Sequence, residues 1–468
     1  MNPNSPYDLS RRKFIGSCCA AVGTTGLLSA LAQLRLIGAI ASPSNTLSAT
    51  AATDYKALVC LFLQGGNDAN NLLIPNDATG YAAYAAARGT LALPQAGLLA
   101  LNPRTSDGRA FALHPSMPEF QSLFGQGKAA ILANTGTLVV PTTKSQYSSQ
   151  SVPLPPQLFS HSDQQVEWQS SVPDKPFSTG WGGRLADLTN AFNSNNAISM
   201  SISLAGQNSF QVGRSVAQYS VGTNGVVSLS GSSTSATSAA GIRTKAQNDL
   251  LAAQTGNLFK TAFAGITSDA IADSALLAQY VGANAAIPFT TTFPTSSLGQ
   301  QLKMIARLIA SAPSLGLKRQ IFFARVGGWD LHDNQLNAHS TLLADLSVSL
   351  KAFYDSTVEL GVGSQVTTFT ASDFGRTYNT NGDGSDHGWG SHHLLVGGAV
   401  QGNDIYGRVP DLTINGPDDT GRGRWIPTTS VDEYSATLAR WFGVSATDLP
   451  IVLPNIGRFA KPNLGFLG

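Results

Sequence analysis

Four times along this sequence a strand-length run with an apolar core stops in a polar or glycine-rich loop. Ala57-Leu-Val-Cys-Leu-Phe-Leu63 leads into Gln64-Gly-Gly-Asn-Asp68. Ala129-Ala-Ile-Leu-Ala133 leads into Asn134-Thr-Gly136. Gln320-Ile-Phe-Phe-Ala-Arg-Val326 leads into Gly327-Gly-Trp-Asp330, and Gln365-Val-Thr-Thr-Phe-Thr370 leads into Ala371-Ser-Asp373-Phe-Gly-Arg376. The continuous apolar run Ala57–Leu63 suits a strand buried on both faces. Helical patterns lie between them. Asn334 to Leu360 sets Leu336, Leu343, Leu346, Leu350 and Phe353 on one face, and residues 116 to 127 and 299 to 311 are shorter candidates. Ser430-Val-Asp-Glu433 has the form of a capping box, with Gly443 as the stop. Alternating strands and helices predict an α/β fold, a mainly parallel sheet between helical layers. Ligands of such sheets gather at the carboxyl ends of the strands, where Asp68, Asp330 and Asp373 all fall.

Residues 205 to 300 depart from this pattern. They are rich in Ser, Thr, Gly and Ala, including Ser228-Leu-Ser-Gly-Ser-Ser-Thr-Ser-Ala-Thr237. The segment reads as an excursion from the main sheet, part loop and part helix, either a lid over a site or a surface elaboration. The expected organisation is a leader over residues 1–52 and one domain over 53–468 with this insertion.

The leader carries Ser10-Arg11-Arg12-Lys13-Phe14, then a weakly apolar stretch from Gly16 to Ile40 with small-x-small sites at Ala39-Ile40-Ala41 and Ala49-Thr50-Ala51. This is the pattern of a twin-arginine export signal, which predicts a periplasmic or secreted protein and the twin-arginine translocation machinery as a partner. Gln33 and Arg35 inside the apolar stretch count against a membrane anchor. No later segment has 18 apolar residues in a row, so no membrane association is expected once the leader is removed. Cys18 and Cys19 lie in the leader, which leaves Cys60 alone and no intramolecular disulfide. With 29 basic and 28 acidic side chains the chain lacks the basic excess of a nucleic-acid surface.

Four motifs can carry chemistry. In Gly65-Gly-Asn-Asp68 the glycines permit a sharp turn, and Asp68 is either a metal ligand or a helix cap. In Phe159-Ser160-His161-Ser162-Asp163, Ser160 or Ser162 is a candidate nucleophile and His161 a base or ligand, with helix capping by Ser162 or Asp163 as the structural alternative. Gly327-Gly-Trp-Asp330-Leu-His332-Asp333 packs two carboxylates and an imidazole into four positions. Asp330 and His332 share a face if extended, and Asp333 can cap the following helix. Ser372-Asp373-Phe374-Gly-Arg376 precedes Asp386-His387-Gly-Trp-Gly-Ser-His392-His393, where three of the seven histidines sit in seven residues. Imidazoles with carboxylates suit Zn, Mn or Fe better than Ca, and Arg376 can clamp an oxyanion through two bonds. His392 and His393 point to opposite faces if extended, so only one is expected to face a site.

These stretches, with Leu113-His-Pro115 and Gly180-Trp-Gly-Gly183, run in an order that resembles the exported family called domain of unknown function 1501, grouped with the alkaline phosphatases and sulfatases. The resemblance implies an alkaline-phosphatase-like fold and a cluster of one or two divalent ions, Zn, Mn or similar. It implies Asp68 as an early ligand, Asp330, His332, Asp373, His387 and His392 (or His393) as late ones, and Ser160 as the nucleophile. Three departures stand out. Phe374 replaces the histidine of an Asp-His pair, the gap between Asp330 and His332 is short, and no Cys-x-Pro-x-Arg sulfatase signature occurs. The expected function is metal-dependent hydrolysis of phosphate or sulfate esters, on small molecules or glycans. The alternatives are a non-catalytic envelope protein of the same fold and a purely structural metal.

Overall fold

A computed structural model describes residues 55–468 apart from 195–197, 227–230, 234, 254–256 and 283. The expected leader, with Ser10-Arg11-Arg12-Lys13-Phe14 and both cleavage sites, lies outside the described residues. Among those residues no helix is long and apolar enough to cross a membrane.

The apolar runs are strands. In chain order the strands are β1 (Lys56–Leu63), β2 (Leu73–Pro75), β3 (Leu99–Ala100), β4 (Phe111–Leu113), β5 (Ala129–Gly136), β6 (Ser201–Ser203) and β7 (Tyr219–Ser220). They continue with β8 (Arg319–Val326), β9 (Val366–Ser372), β10 (Arg376–Thr380), β11 (Ser385–His387), β12 (Ser391–Gly397), β13 (Ile405–Tyr406) and β14 (Thr429–Ser430). The main sheet has the order β13-β5-β12-β9-β1-β8-β6-β7, with β14 also on β5. All its pairings are parallel except the two made by β12. The predicted layered α/β architecture is therefore what forms.

Alternation along β1 shows how the layers are built. Ala57, Val59, Leu61 and Leu63 enter one core with residues of the helices Pro118–Gly125, Ser297–Ser311 and Gln335–Glu359. Leu58, Cys60 and Phe62 enter the other with residues of His161–Ser170, Trp181–Thr189 and Val431–Phe442. A strand covered on both faces has no position at which a polar side chain is cheap. The last helix starts on the predicted box. Ser430 Oγ accepts from Glu433 N at 3.0 Å and Glu433 Oε2 accepts from Ser430 N at 3.0 Å.

Two local expectations are corrected. The inward stripe of Gln335–Glu359 runs through Leu343, Leu346, Leu350 and Phe353 as predicted, but its first turns present buried Gln335 and His339 rather than Leu336. These polar residues face inward because they meet Asp68 and Asn67. Nor does Asp333 cap this helix. Asn334 takes that position at φ 43°, and its amide donates to Asp383 at 3.1 Å.

The segment 205–300 is not wholly apart from the sheet. Tyr219–Ser220 extends it beyond β6, with Ile202 opposite Tyr219. Two helices follow, Ala239–Ala252 and Leu258–Val281. The second buries Leu277 and Val281 in the core that contains Leu302 and Ile305, so its end packs on a helical layer.

Candidate metal centre

The rim is organised by β9, β1 and β8, the three adjacent central strands. Leu63 pairs with both Val326 and Ser372, so the three strands end level and their loops leave together. Ser372 Oγ donates to Leu63 O at 2.6 Å and accepts from Asn67 N at 3.0 Å, which stitches the β1 loop onto β9. Gly65 and Gly66 have φ of 123° and 88°, where a side chain is strained. A Cβ on Gly65 would sit 2.4 Å from Asp330 N, and one on Gly66 would sit 2.6 Å from the Phe374 ring. The glycines thus let the first loop press against the two later ones.

On this rim three imidazoles converge on one carboxylate. His161 Nε2 lies 3.4 Å from Asp330 Oδ2. His387 Nε2 and His332 Nε2 lie 3.2 and 3.0 Å from Asp330 Oδ1, and 3.1 Å from each other. Ligating atoms of His161, Asp330 and His387 all fall within 4.8 Å of one another.

The far side of each ring meets an oxygen. His161 Nδ1 donates to Asp373 Oδ2 at 2.6 Å, and His387 Nδ1 donates to Phe159 O at 2.7 Å. His332 Nδ1 faces Asp386 Oδ1 at 3.6 Å. A carbonyl can only accept, so the Nδ1 of His387 carries the proton and its Nε2 presents a lone pair to the cluster. With Asp373 as the acceptor at its Nδ1, His161 likewise turns Nε2 to the cluster, where it is buried without a hydrogen-bond partner. An imidazole held at Nδ1 by an oxygen and bare at Nε2 is the arrangement metal-binding histidines adopt.

Electrostatics agree. Burial pushes His387 below the usual histidine pKa, helped by the charges of Arg376 and His161 and opposed by the Phe159 carbonyl. Burial raises Asp330, but the Arg376 hydrogen bond and charge, with His161 and His332, outweigh it and hold the carboxyl below its ordinary value. A carboxylate with a neutral imidazole is a donor set for Zn, Mn or Fe, so these residues fit the implied ion.

The remaining expected residues are placed as follows. Asp373 is buried and bonds outward from the cluster, accepting from His161, from Gln165 Nε2 at 2.9 Å and from Gly65 N at 3.1 Å. It orients a ring rather than joining the converging atoms. Asp68 is not brought to the cluster. Its carboxylate takes the Arg88 guanidinium and the Gln335 amide, and accepts from Asn70 N at 3.2 Å. His392 is also elsewhere, because its buried Nδ1 accepts from Asn134 N at 2.9 Å on the neighbouring strand. His393 is buried against Trp168 and Tyr434. Ser160 Oγ donates to Asp163 Oδ2 at 2.5 Å, which occupies the expected nucleophile. Arg376 is 1% exposed. It donates to Asp330 at 2.7 Å, to Gly65 O at 3.3 Å and to the carbonyl and hydroxyl of Ser385, so its oxyanion-clamping donors are already used.

Several participants were not expected at the site from the sequence. Phe374 forms a floor, its ring centroid 4.8 Å from that of His161 and 4.6 Å from that of His387. Phe159 adopts φ 74°, a region that costs a bulky residue about 1–3 kcal/mol and that turns its carbonyl toward His387. Gln165 falls one helical turn after His161, which places it beside the same carboxylate. That spacing could have identified it.

Fold and site together define a layered α/β protein with an imidazole–carboxylate cluster at the carboxyl rim of its sheet. The chain belongs to the family described as "Protein of unknown function (DUF1501)", whose model matches residues 55–421. No curated protein matches the sequence. Solved structures with some similarity include the lipoteichoic acid synthase LtaP from Listeria monocytogenes, at TM-score 0.36 and 9% identity, covering 87% of this chain and 76% of that one. They include the PsFucS1 sulfatase from Pseudoalteromonas sp., at TM-score 0.34 and 11% identity, covering 90% and 73%. A third is Ps i-CgsB in complex with k-i-k-neocarrahexaose, at TM-score 0.33 and 9% identity, covering 88% and 78%.

Proposed function

We propose that this protein is an exported, metal-dependent hydrolase of phosphate or sulfate esters. One observation carries the reading. His161, His387 and His332 all turn Nε2 toward Asp330, and the Nδ1 atoms of His161 and His387 are held by the oxygens of Asp373 and Phe159. Asp330, His161 and His387, with His332 beside the same carboxylate, would hold a divalent ion, which would supply Lewis-acid polarisation of an ester oxygen. Arg376 keeps Asp330 ionised and fixes one of its oxygens. Phe374 packs its ring against those of His161 and His387. The ester class comes from the family resemblance. The test is elemental analysis of the folded protein, followed by a panel of phosphate and sulfate esters with and without chelator. No bound metal and no metal-stimulated turnover would end the reading.

One observation favours the non-catalytic alternative, an envelope protein binding a glycan or a protein partner. Ser160 is engaged with Asp163, and no other hydroxyl is seen among the converging atoms described above. On that alternative Ser160→Ala leaves the cellular phenotype intact, while changes within 205–300 abolish it.

Export by the twin-arginine machinery to the periplasm or beyond belongs to the same proposal. Arg11→Lys with Arg12→Lys is expected to retain the protein in the cytoplasm, read by fractionation.

A further inference from the structure

The arginines around the cluster differ in what their guanidinium groups leave free. Arg376 spends Nε and both Nη groups inside the protein. Arg88 spends its own on Asp68, Asn71 and the carbonyls of Thr377 and Tyr378. Arg422 is tied to Asp386. Half-buried Arg424 commits only Nε, which donates to His387 O at 2.9 Å. Its Cζ lies 4.7 Å from the centroid of the Phe159 ring. Among the described residues neither Nη group has an acceptor.

The link to the cluster is closed. Phe159 gives its carbonyl to His387 Nδ1 and its ring face to Arg424, while His387 gives its own carbonyl to Arg424. Phe159 makes both contacts with its backbone at φ 74°. The Asp419 carboxylate fixes the backbone on the other side, since its Oδ1 accepts from the amides of Gly421, Gly423 and Arg424 at 2.7, 2.9 and 3.0 Å. The result is a planar cation held at Nε and at its ring face, with its two Nη groups free of protein acceptors among the described residues, bonded to the backbone of a cluster histidine.

We infer that Arg424 supplies the oxyanion subsite of this centre, its two Nη groups taking the terminal oxygens of a phosphate or sulfate group. A planar fork matches such oxygens in pairs, and a pre-held fork loses little freedom on binding. The inference rests on the reading of the cluster as a metal centre for anionic esters, and it moves the anion-binding role from Arg376 to Arg424.

The test is calorimetric titration of inorganic phosphate, and separately sulfate, into the zinc-loaded full chain and three variants. Arg424→Gln is expected to weaken binding of both anions about tenfold or more. Arg424→Lys keeps the charge without the fork and is expected to weaken it roughly three- to fivefold, which serves if the glutamine variant does not fold. Arg422→Gln removes an equal charge two residues away and is expected to stay within about twofold, as for a screened surface charge. Zinc stoichiometry should match wild type in all three. Unchanged anion affinity in the Arg424 variants overturns the inference, as does an equal loss in Arg422→Gln. So does a wild-type protein that takes zinc but no anion, with the metal centre surviving. A wild-type protein that takes no zinc overturns the centre and the subsite together.

Discussion

Arg88 closes over Asp68, and both side chains are buried, at 0% and 2% exposure. The acid that follows the first strand is therefore neutralised by an internal guanidinium and kept from the converging imidazoles. Removing one partner of a buried pair strands the other charge. Arg88→Met is expected to cost about 3–5 kcal/mol in denaturant unfolding. Asp68→Asn, by the same logic, should lower stability while leaving metal stoichiometry at the wild-type value, measured by elemental analysis.

Metal affinity should depend most on the converging residues. His161→Ala and His387→Ala are expected to abolish tight binding of zinc in a competition titration. Asp373→Asn removes the acceptor that aligns His161 and is expected to weaken affinity by about 10- to 100-fold, as loss of a ligand-orienting partner does. His392→Ala should leave affinity unchanged.

The Gly66 position tests the floor of the site. Gly66→Ala adds a Cβ 2.6 Å from the Phe374 ring at a backbone φ of 88°. Strain of that kind costs about 1–3 kcal/mol, and the displaced ring would tilt the imidazoles above it. Lower melting temperature together with weaker zinc binding is expected. A drop in stability alone would mean that Phe374 does not support the rings.

Two buried groups give stability opposite pH slopes. Burial pushes His393 down to about 3, so between about 6.5 and 3 the unfolded chain binds the extra proton and stability falls as pH falls. Both His393 ring nitrogens lack partners, so His393→Phe should be neutral or stabilising at pH 7 and should flatten that acid loss. Burial pushes Glu167 up to about 8, with Asp163 adding to the rise. Here the folded protein binds the extra proton, and stability falls as pH rises from about 4.5 to 8. Glu167→Gln should remove that alkaline loss, read from urea midpoints at pH 6 and pH 8. Identical pH dependence in wild type and variant would refute the assignment.

Much of the architecture was legible because burial on two faces leaves a continuous apolar signature. The four runs became β1, β5, β8 and β9, and Ser430 with Glu433 capped the helix their spacing marks. The rim acids and imidazoles were legible too, since Asp330, His332, Asp373 and His387 stand directly after strands or in a turn dense with glycine. Arg88 was not. It ends an alanine-rich helix, and nothing in its neighbours marks it as the partner of an acid 20 residues earlier.

The sequence by itself determined which segments must be buried and therefore which rim collects the polar loops, because hydrophobic pattern is a local property of the chain. Only the tertiary structure decided which polar groups meet. It put Asp68 with Arg88, spent the Arg376 guanidinium on Asp330 and Ser385, turned His392 to Asn134, and left Arg424 with open donors. Those choices depend on distances between residues as much as 258 positions apart, as for Asn134 and His392, and such a hydrogen bond carries no periodicity for a sequence to display.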